Sequence, residues 1–480
     1  MKSATQITLA GAIGLALAYS SPGAAAPKPR SLEQMWKIIQ SQQAEIARQR
    51  HEIDNLKAGQ GGGAEPAAAA DKSAGPSRAP AQNVEEVDRK TTILADEVEK
   101  IKTSMAIPEE PKLKSRYGLG PAASKVYNAN KGLSIGGYGE GFYTAYVNDA
   151  AGKTNQADFA RLVAYLGYKF SDRILFNSEI EFEHGTTGEG SEEKGEVSVE
   201  FANLDFFLDP RVNVRAGLVL VPMGFINEIH EPAFFHGNNR PEVERQIIPS
   251  TWREIGVGLF GEILPGLQYR TYVVNGLNAD GFGSSGIREG RQSGSKARAD
   301  DLAFTGRLDY APPAIPGLLV GGSAFLGNAG QGETFAGTKP SVFTQLYEGH
   351  IQYRYRGLEL RTLGSWGHIG DADFLSAAKG ETIGESNYGA YGEIAYDVMP
   401  LIWRGSTQYL APFFRYETFD TIASTPTGFA DDGSFDREIY QVGMSYKPIP
   451  NVVLKADYRN IRAKVGNPAD EVNIGMGFVF

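Results

Sequence analysis

The 480-residue chain contains no cysteine, which excludes structural disulfides, thiolate metal sites and a lipid-modified cysteine anchor. No run of 18 consecutive apolar side chains occurs after the first residues, so no transmembrane helix is expected. No Walker loop, serine-centred elbow, HExxH pair or dinucleotide fingerprint stands in a supporting context. A formal charge of -10 argues against a general binder of polyanions, and nucleic acid is not an expected partner. No catalytic group, metal or cofactor is expected, and the chain is not expected to be an enzyme.

What is present begins with Lys2, an apolar run from Ile7 to Tyr19 and the small residues Gly23 to Ala26 before Pro27. That order predicts a secretory signal peptide over 1–26, too short in its apolar part to span a bilayer; a retained helix is the alternative. An exported, disulfide-free chain of this length suits a Gram-negative envelope. Leu32, Met35, Ile39, Gln42, Ile46, Gln49, Ile53 and Leu56 then recur at steps of three and four, predicting a first coiled-coil segment over 27–58. Its Ile-rich seam with polar positions favours more than two strands, and a parallel homotrimer is expected; a lone amphipathic helix is the alternative. A Gly, Ala and Pro tract predicts a flexible linker over 59–82. Val84, Val87, Thr91, Leu94, Val98, Ile101 and Met105 predict a second coiled-coil segment over 83–107, and 108–132 links it to the rest. Together they suggest a periplasmic stalk serving trimerisation, spacing or contact with peptidoglycan.

From Leu133 the period changes to two, in segments of about ten to fifteen residues. Sixteen segments begin near Leu133, Phe159, Arg173, Glu196, Arg211, Arg253, Gly266, Leu302, Leu318, Val342, Leu358, Asn387, Thr407, Arg437, Asn451 and Glu471. Tight joints at 171–172, 209–210, 264–266, 312–316, 356–357, 399–404 and 448–451 each follow an even-numbered segment, and long polar joints follow the odd ones. That sidedness predicts an all-β fold over 133–480: a 16-stranded antiparallel transmembrane β-barrel preceded by an α-helical coiled-coil stalk. The 58 glycines, 22 tyrosines and 25 phenylalanines suit curved strands with aromatic girdles.

Alternation assigns faces. Phe176, Ile180 and Phe182 are expected toward lipid and Asn177, Glu179, Glu181 and Glu183 toward the lumen. Val212, Val214, Ala216, Leu218 and Leu220 point out, leaving Arg215 inward; Ile351, Tyr353 and Tyr355 point out against His350, Gln352, Arg354 and Arg356. Val452, Leu454, Ala456 and Tyr458 stand against Lys455, Asp457 and Arg459. Charges at alternate positions suit a wet channel better than a dry core. The chain ends NIGMGFVF, with Ile474, Met476, Phe478 and Phe480 on one strand face. Asn473, Gly475, Phe478 and Phe480 resemble the terminal signal read by the outer-membrane barrel-assembly machinery; a buried strand of a soluble sheet is the alternative.

The joint 222–252 is too long for an idle turn and carries Glu228, His230, Glu231, His236, Arg240, Glu242, Glu244 and Arg245. Three readings are open: a loop folded inward to narrow a pore, a plain extracellular loop, or a metal or hydrolase site, although His230 and His236 lack a ligand spacing. A second joint carries Arg288, Arg291, Lys296 and Arg298, a cluster able to draw anions to a pore mouth or to stand solvated beside lipopolysaccharide. Inside, the basic residues could pass an anion along, opposed by Glu179, Glu181, Glu183, Glu348 and Asp457.

The run PMGFINEIHEPAFFHGNNRPEVERQIIPSTWREIGVGLFGEI and the terminal GMGFVF resemble outer-membrane porins of the phosphate-selective porin O and P family, over 133–480. The resemblance implies a trimer of sixteen-stranded barrels in the outer membrane, a third loop folded inward, and basic residues guiding anions such as phosphate. The expectation is thus passive diffusion of small hydrophilic solutes with anions favoured. The alternative is an envelope tether whose stalk contacts the cell wall and whose barrel is mainly an anchor. Deleting residues 32–105 separates them: a pore keeps its ion conductance, whereas a tether loses its attachment to the envelope.

Overall fold

The structure, a computed structural model, describes residues 113–150, 152–186 and 195–480. The expected signal peptide, both coiled-coil segments and the linker between them lie outside the described residues. The chain from 132 onward forms sixteen strands, β1 (Gly132–Val147), β2 (Gln156–Lys169), β3 (Ile174–Glu183), β4 (Val197–Asp209), β5 (Val212–Leu220), β6 (Arg253–Leu264), β7 (Leu267–Asn275) and β8 (Leu302–Tyr310). They continue as β9 (Leu318–Asn328), β10 (Phe343–Tyr355), β11 (Leu358–Ile369), β12 (Ser386–Tyr396), β13 (Tyr409–Ser424), β14 (Asp436–Ile449), β15 (Val452–Ala463) and β16 (Asp470–Val479). Each pairs antiparallel with its neighbour in sequence, and β1 closes on β16 into a complete barrel. The joints after even-numbered strands have two to seven residues, apart from a twelve-residue one after β12 that holds a one-turn helix (Met399–Ile402), and those after odd-numbered strands have six to 32.

The alternation explains the wall. Ile474 (60% exposed) and Met476 (51%) lie on the outer face, while Asn473 and Val479 of the same strand are buried inside. Asn177, Glu179 and Glu181 of β3 are buried, whereas Ile174 and Phe182 are exposed. Lys455, Asp457 and Arg459 of β15 point in against exposed Leu454 and Ala456. Leu220 departs from the expected outward face. It ends β5 where the chain leaves the wall for the long loop, and it is buried. Arg356 also departs: it occupies the tight turn between β10 and β11 at φ 49°, exposed, its guanidinium 5.1 Å from the Tyr355 ring centre.

The seam joins Tyr138 to Val479 and Gly139 to Phe478, and Gly137 and Phe480 exchange both backbone hydrogen bonds at 2.9 Å. The rings of Phe478 and Phe480 stack at 6.4 Å and lie across the glycines of β1. A Cβ on Gly139 would sit 2.6 Å from Phe478 Cζ, and one on Gly137 2.7 Å from Phe480 Cζ, so only glycine fits beneath them. Asn473 accepts from the Thr144 hydroxyl (2.6 Å) across the same seam and donates to Asp457 (3.0 Å). Gly139→Val should displace the Phe478 ring and destabilise the folded barrel by an amount typical of overpacking, about 1–3 kcal/mol, lowering its thermal midpoint. Loss of the compact band at a lower temperature in an unheated-gel series checks this.

Candidate functional site

The loop 221–252 folds into the barrel. Val221 N–H donates to Trp252 O (3.0 Å), pinching the two ends together, and the Asn227 amide bridges them by donating to Val221 O (2.6 Å) and Trp252 O (2.9 Å). Its apolar residues decide the direction. Met223, Val243, Ile247, Ile248 and Trp252 are buried in one cluster with Phe325, Leu346 and Leu363 of the wall, which no extended extracellular loop would achieve.

Polar anchors then fasten the loop around the ring of strands. Glu228 pairs with Arg270 of β7 (2.7 Å), and the backbone of Gly224 accepts from Arg307 of β8. His230 faces Glu179 and Glu200 of β3 and β4. His236 bridges Glu393 and the Tyr409 hydroxyl (both 2.9 Å), while its carbonyl accepts from Arg415 (2.6 Å). Lys455 donates to Gly237 O (2.8 Å) and sits 3.7 Å from the Phe235 ring centre. Arg459 holds Glu242 (3.0 Å) and Glu471 (2.7 Å), and Glu244 accepts from Tyr391 (2.6 Å) and from Ile226 N–H (2.7 Å).

A second segment, 113–131, enters at the short-turn end. It carries the one-turn helix α1 (Lys125–Asn128) and buries Leu119, Ala122 and Ala123 against Tyr138, Tyr165 and Phe201. Ala122 N–H donates to Glu231 (2.9 Å), tying this segment to the loop. Arg215 pairs with Asp205 (2.7 Å) and donates to Tyr117 O (3.1 Å) and the Tyr127 hydroxyl (3.0 Å), so it anchors the segment and faces no open lumen.

Cavities lie on both sides of the loop. The one at the long-loop end measures about 760 Å³ and is lined by seven basic side chains, among them Arg161, Arg240, Arg245 and Arg288, against four carboxylates. At the short-turn end a cavity of about 240 Å³ carries five arginines, including Arg270, Arg307 and Arg354, against Glu228 and Asp309. Another of about 220 Å³ joins His236, Arg354 and Lys447 to Glu359. Nε and Nη2 of Arg240 are buried without a hydrogen-bond partner. Burial, then the cations of Arg291 and Arg245, push the Arg288 guanidinium down to about 9.

No family model matches the chain. A curated protein of Aquifex aeolicus, described as uncharacterized, is 38% identical over 372 residues, covering 75% of this chain and 82% of its own length. The chain belongs to that protein's family. Among solved structures, the outer membrane channel DcaP of Acinetobacter baumannii aligns at TM-score 0.48 and 11% identity, over 72% of this chain and 97% of its own. The anion-selective porin from Comamonas acidovorans aligns at 0.46 and 12%, over 72% and 99%. At these scores the likeness adds nothing to the strand pairing, which establishes the barrel by itself.

The sequence-predicted residues therefore separate into three groups. Glu228, His230, Glu231, His236, Glu242, Glu244, Arg215, Lys455 and Arg459 are gathered inside the barrel as anchors. Arg240, Arg245 and Arg288 meet in the large cavity, and Arg354 lines both smaller ones. Lys296 is exposed away from them, Arg298 pairs with Glu333, and Arg291 turns onto the backbone of Ser250 (3.2 Å). Arg161, Arg270, Arg307, Arg361 and Arg415 were not singled out from sequence, although period-two alternation in their strands places each inward. Arg459→Gln should leave Glu242 buried with Arg245 and the Gln246 amide beside it and loosen the loop. Breaking such a buried pair costs about 3–5 kcal/mol, and limited proteolysis should then cut within 236–252 at protease levels that spare the parent.

Proposed function

We propose that the protein is an outer-membrane porin for passive diffusion of small hydrophilic solutes, favouring anions such as phosphate, and working as a homotrimer among outer-membrane lipid and lipopolysaccharide. The observation that carries this reading is the excess of basic over acidic side chains in the cavities on both faces of the inward loop, in a chain whose formal charge is -10. A potential confined between low-dielectric walls concentrates anions there regardless of the total charge. Several of the acids that would oppose it are engaged in pairs, while Glu183 lines the large cavity itself. Glu181 pairs with Arg161 (3.0 Å), Glu348 bonds His350 and Ser323 (both 2.6 Å), and Asp457 accepts from Asn238, Gln441 and Asn473. A barrel serving only to anchor a stalk would gain nothing from this sorting of charge.

Planar-bilayer recording of the full-length protein should show conductance in three equal steps per insertion, and a KCl gradient should give a reversal potential of anion-selective sign, with phosphate carried as well. The double variant Arg240→Glu, Arg245→Glu should move the reversal potential toward cations. Raising the salt should weaken the preference, since the Debye length falls from about 10 Å at 0.1 M to about 3 Å at 1 M. An unselective parent channel would refute the anion preference, and no conductance at all would refute the porin.

A further inference from the structure

Glu179 on β3, Glu200 on β4 and His230 on the inward loop meet inside the barrel wall at the long loop's deepest anchorage. His230 Nε2 lies 3.0 Å from Glu179 Oε1 and 3.2 Å from Glu200 Oε2. The ligating atoms of the three all fall within 4.8 Å of one another, and all three side chains are fully buried.

Hydrogen bonding leaves this arrangement incomplete. An imidazole nitrogen carries at most one proton and directs it along one line, so Nε2 can serve one carboxylate and not two. Glu179 Oε2 and both oxygens of Glu200 have no hydrogen-bond partner, and neither has the Tyr138 hydroxyl, whose ring centre lies 5.9 Å from that of His230. Four buried oxygens without a partner, three of them on the two carboxylates that face the imidazole, are costly as they stand. Arg253 approaches only the far oxygen of Glu200, at 3.5 Å. On its other side the ring places Nδ1 3.3 Å from the Asn227 carbonyl. A proton on Nδ1 held there turns the Nε2 lone pair toward the two carboxylates, the outer-sphere support typical of metal-bound histidine.

We propose that Glu179, Glu200 and His230 bind one first-row divalent cation, of which zinc fits the donor set well, and that the ion pins the inward loop to β3 and β4. Metal bonds of about 2.1 Å set neighbouring ligand atoms roughly 3–3.5 Å apart, matching both distances from His230 to the carboxylates, and one imidazole with two carboxylates suits zinc, cobalt or manganese. No sequence spacing betrays the site, because its three ligands come from three separate segments.

The test needs metal content and not conductance, so it stands apart from the porin reading. Full-length protein purified in detergent, stripped with chelator and titrated with Zn²⁺, should take up one equivalent per chain. Co²⁺ in its place should give a visible d–d absorption band. Glu200→Gln and His230→Gln, checked for the heat-modifiable mobility of a folded barrel, should each weaken uptake at least about 100-fold. Saturable binding unchanged in both folded variants, or no uptake by the parent, would overturn the site. If the variants fail to fold, zinc-edge X-ray absorption of the parent decides: one imidazole and two carboxylates in the coordination shell support the proposal, and a shell without imidazole refutes it.

Discussion

A strand edge left open in lipid would expose a row of amides and carbonyls, each costing several kcal/mol, and β1 meets that constraint by pairing with β16 from Tyr138 to Val147. Closure uncouples the two faces of the wall. The outer face need only be apolar, so it carries Ile474, Met476 and Phe480 beside Leu454. The inner face is relieved of lipid contact and can hold charges at alternate positions without breaking the ladder. The glycines beneath Phe478 and Phe480 belong to the same constraint, because the rings cover the outer surface of the seam only if β1 offers no side chain there.

Freedom to hold charge inside creates a second requirement, since a charge removed from water must be paired. Most wall arginines are paired through the inward loop or through neighbouring strands. Arg270, Arg307, Arg415 and Arg459 approach the loop from widely separated strands, so that it is fastened around the barrel and not merely at its ends. Such pairs add little net stability against an apolar alternative, yet removing one partner is expensive. Their distribution fixes where the loop lies. The apolar cluster around Trp252 supplies the drive to fold inward, and the ion pairs supply the register.

The wall was legible in the sequence and its interior was not. All sixteen strands begin within three residues of where period two and the turn signals place them, because each strand carries its own local pattern. The inward course of 222–252 stood as one of three readings, since direction depends on contacts such as His236 with Glu393, which are 157 residues apart. The segment 113–131 has neither helical nor strand periodicity and read only as part of a connector. Its burial comes from small residues, Ala122 and Ala123, fitting into one cluster with Tyr138, Tyr165 and Phe201 of three different strands. Arg215 was placed inward correctly, but its role as an anchor depends on Tyr117 and Tyr127 of that same segment. Arg356 shows the converse error, a period-two count carried one residue too far into a turn.

The total charge carries no information about the interior, because a sum over the chain says nothing about which charges are neutralised. Inside the barrel several carboxylates are matched to cations. Asp205 takes Arg215, Glu393 takes Arg415 and His236, and Asp309 takes Arg307 at 2.8 Å and Arg270 at 2.5 Å. Beside the unpartnered carboxylate oxygens of Glu179 and Glu200, several basic groups are left over. Arg240, with two nitrogens lacking any hydrogen-bond partner, projects into a cavity it shares with Arg245 and Arg288. The potential in that cavity is set by the groups that line it, seven basic against four acidic, and not by the 57 acidic residues of the whole chain.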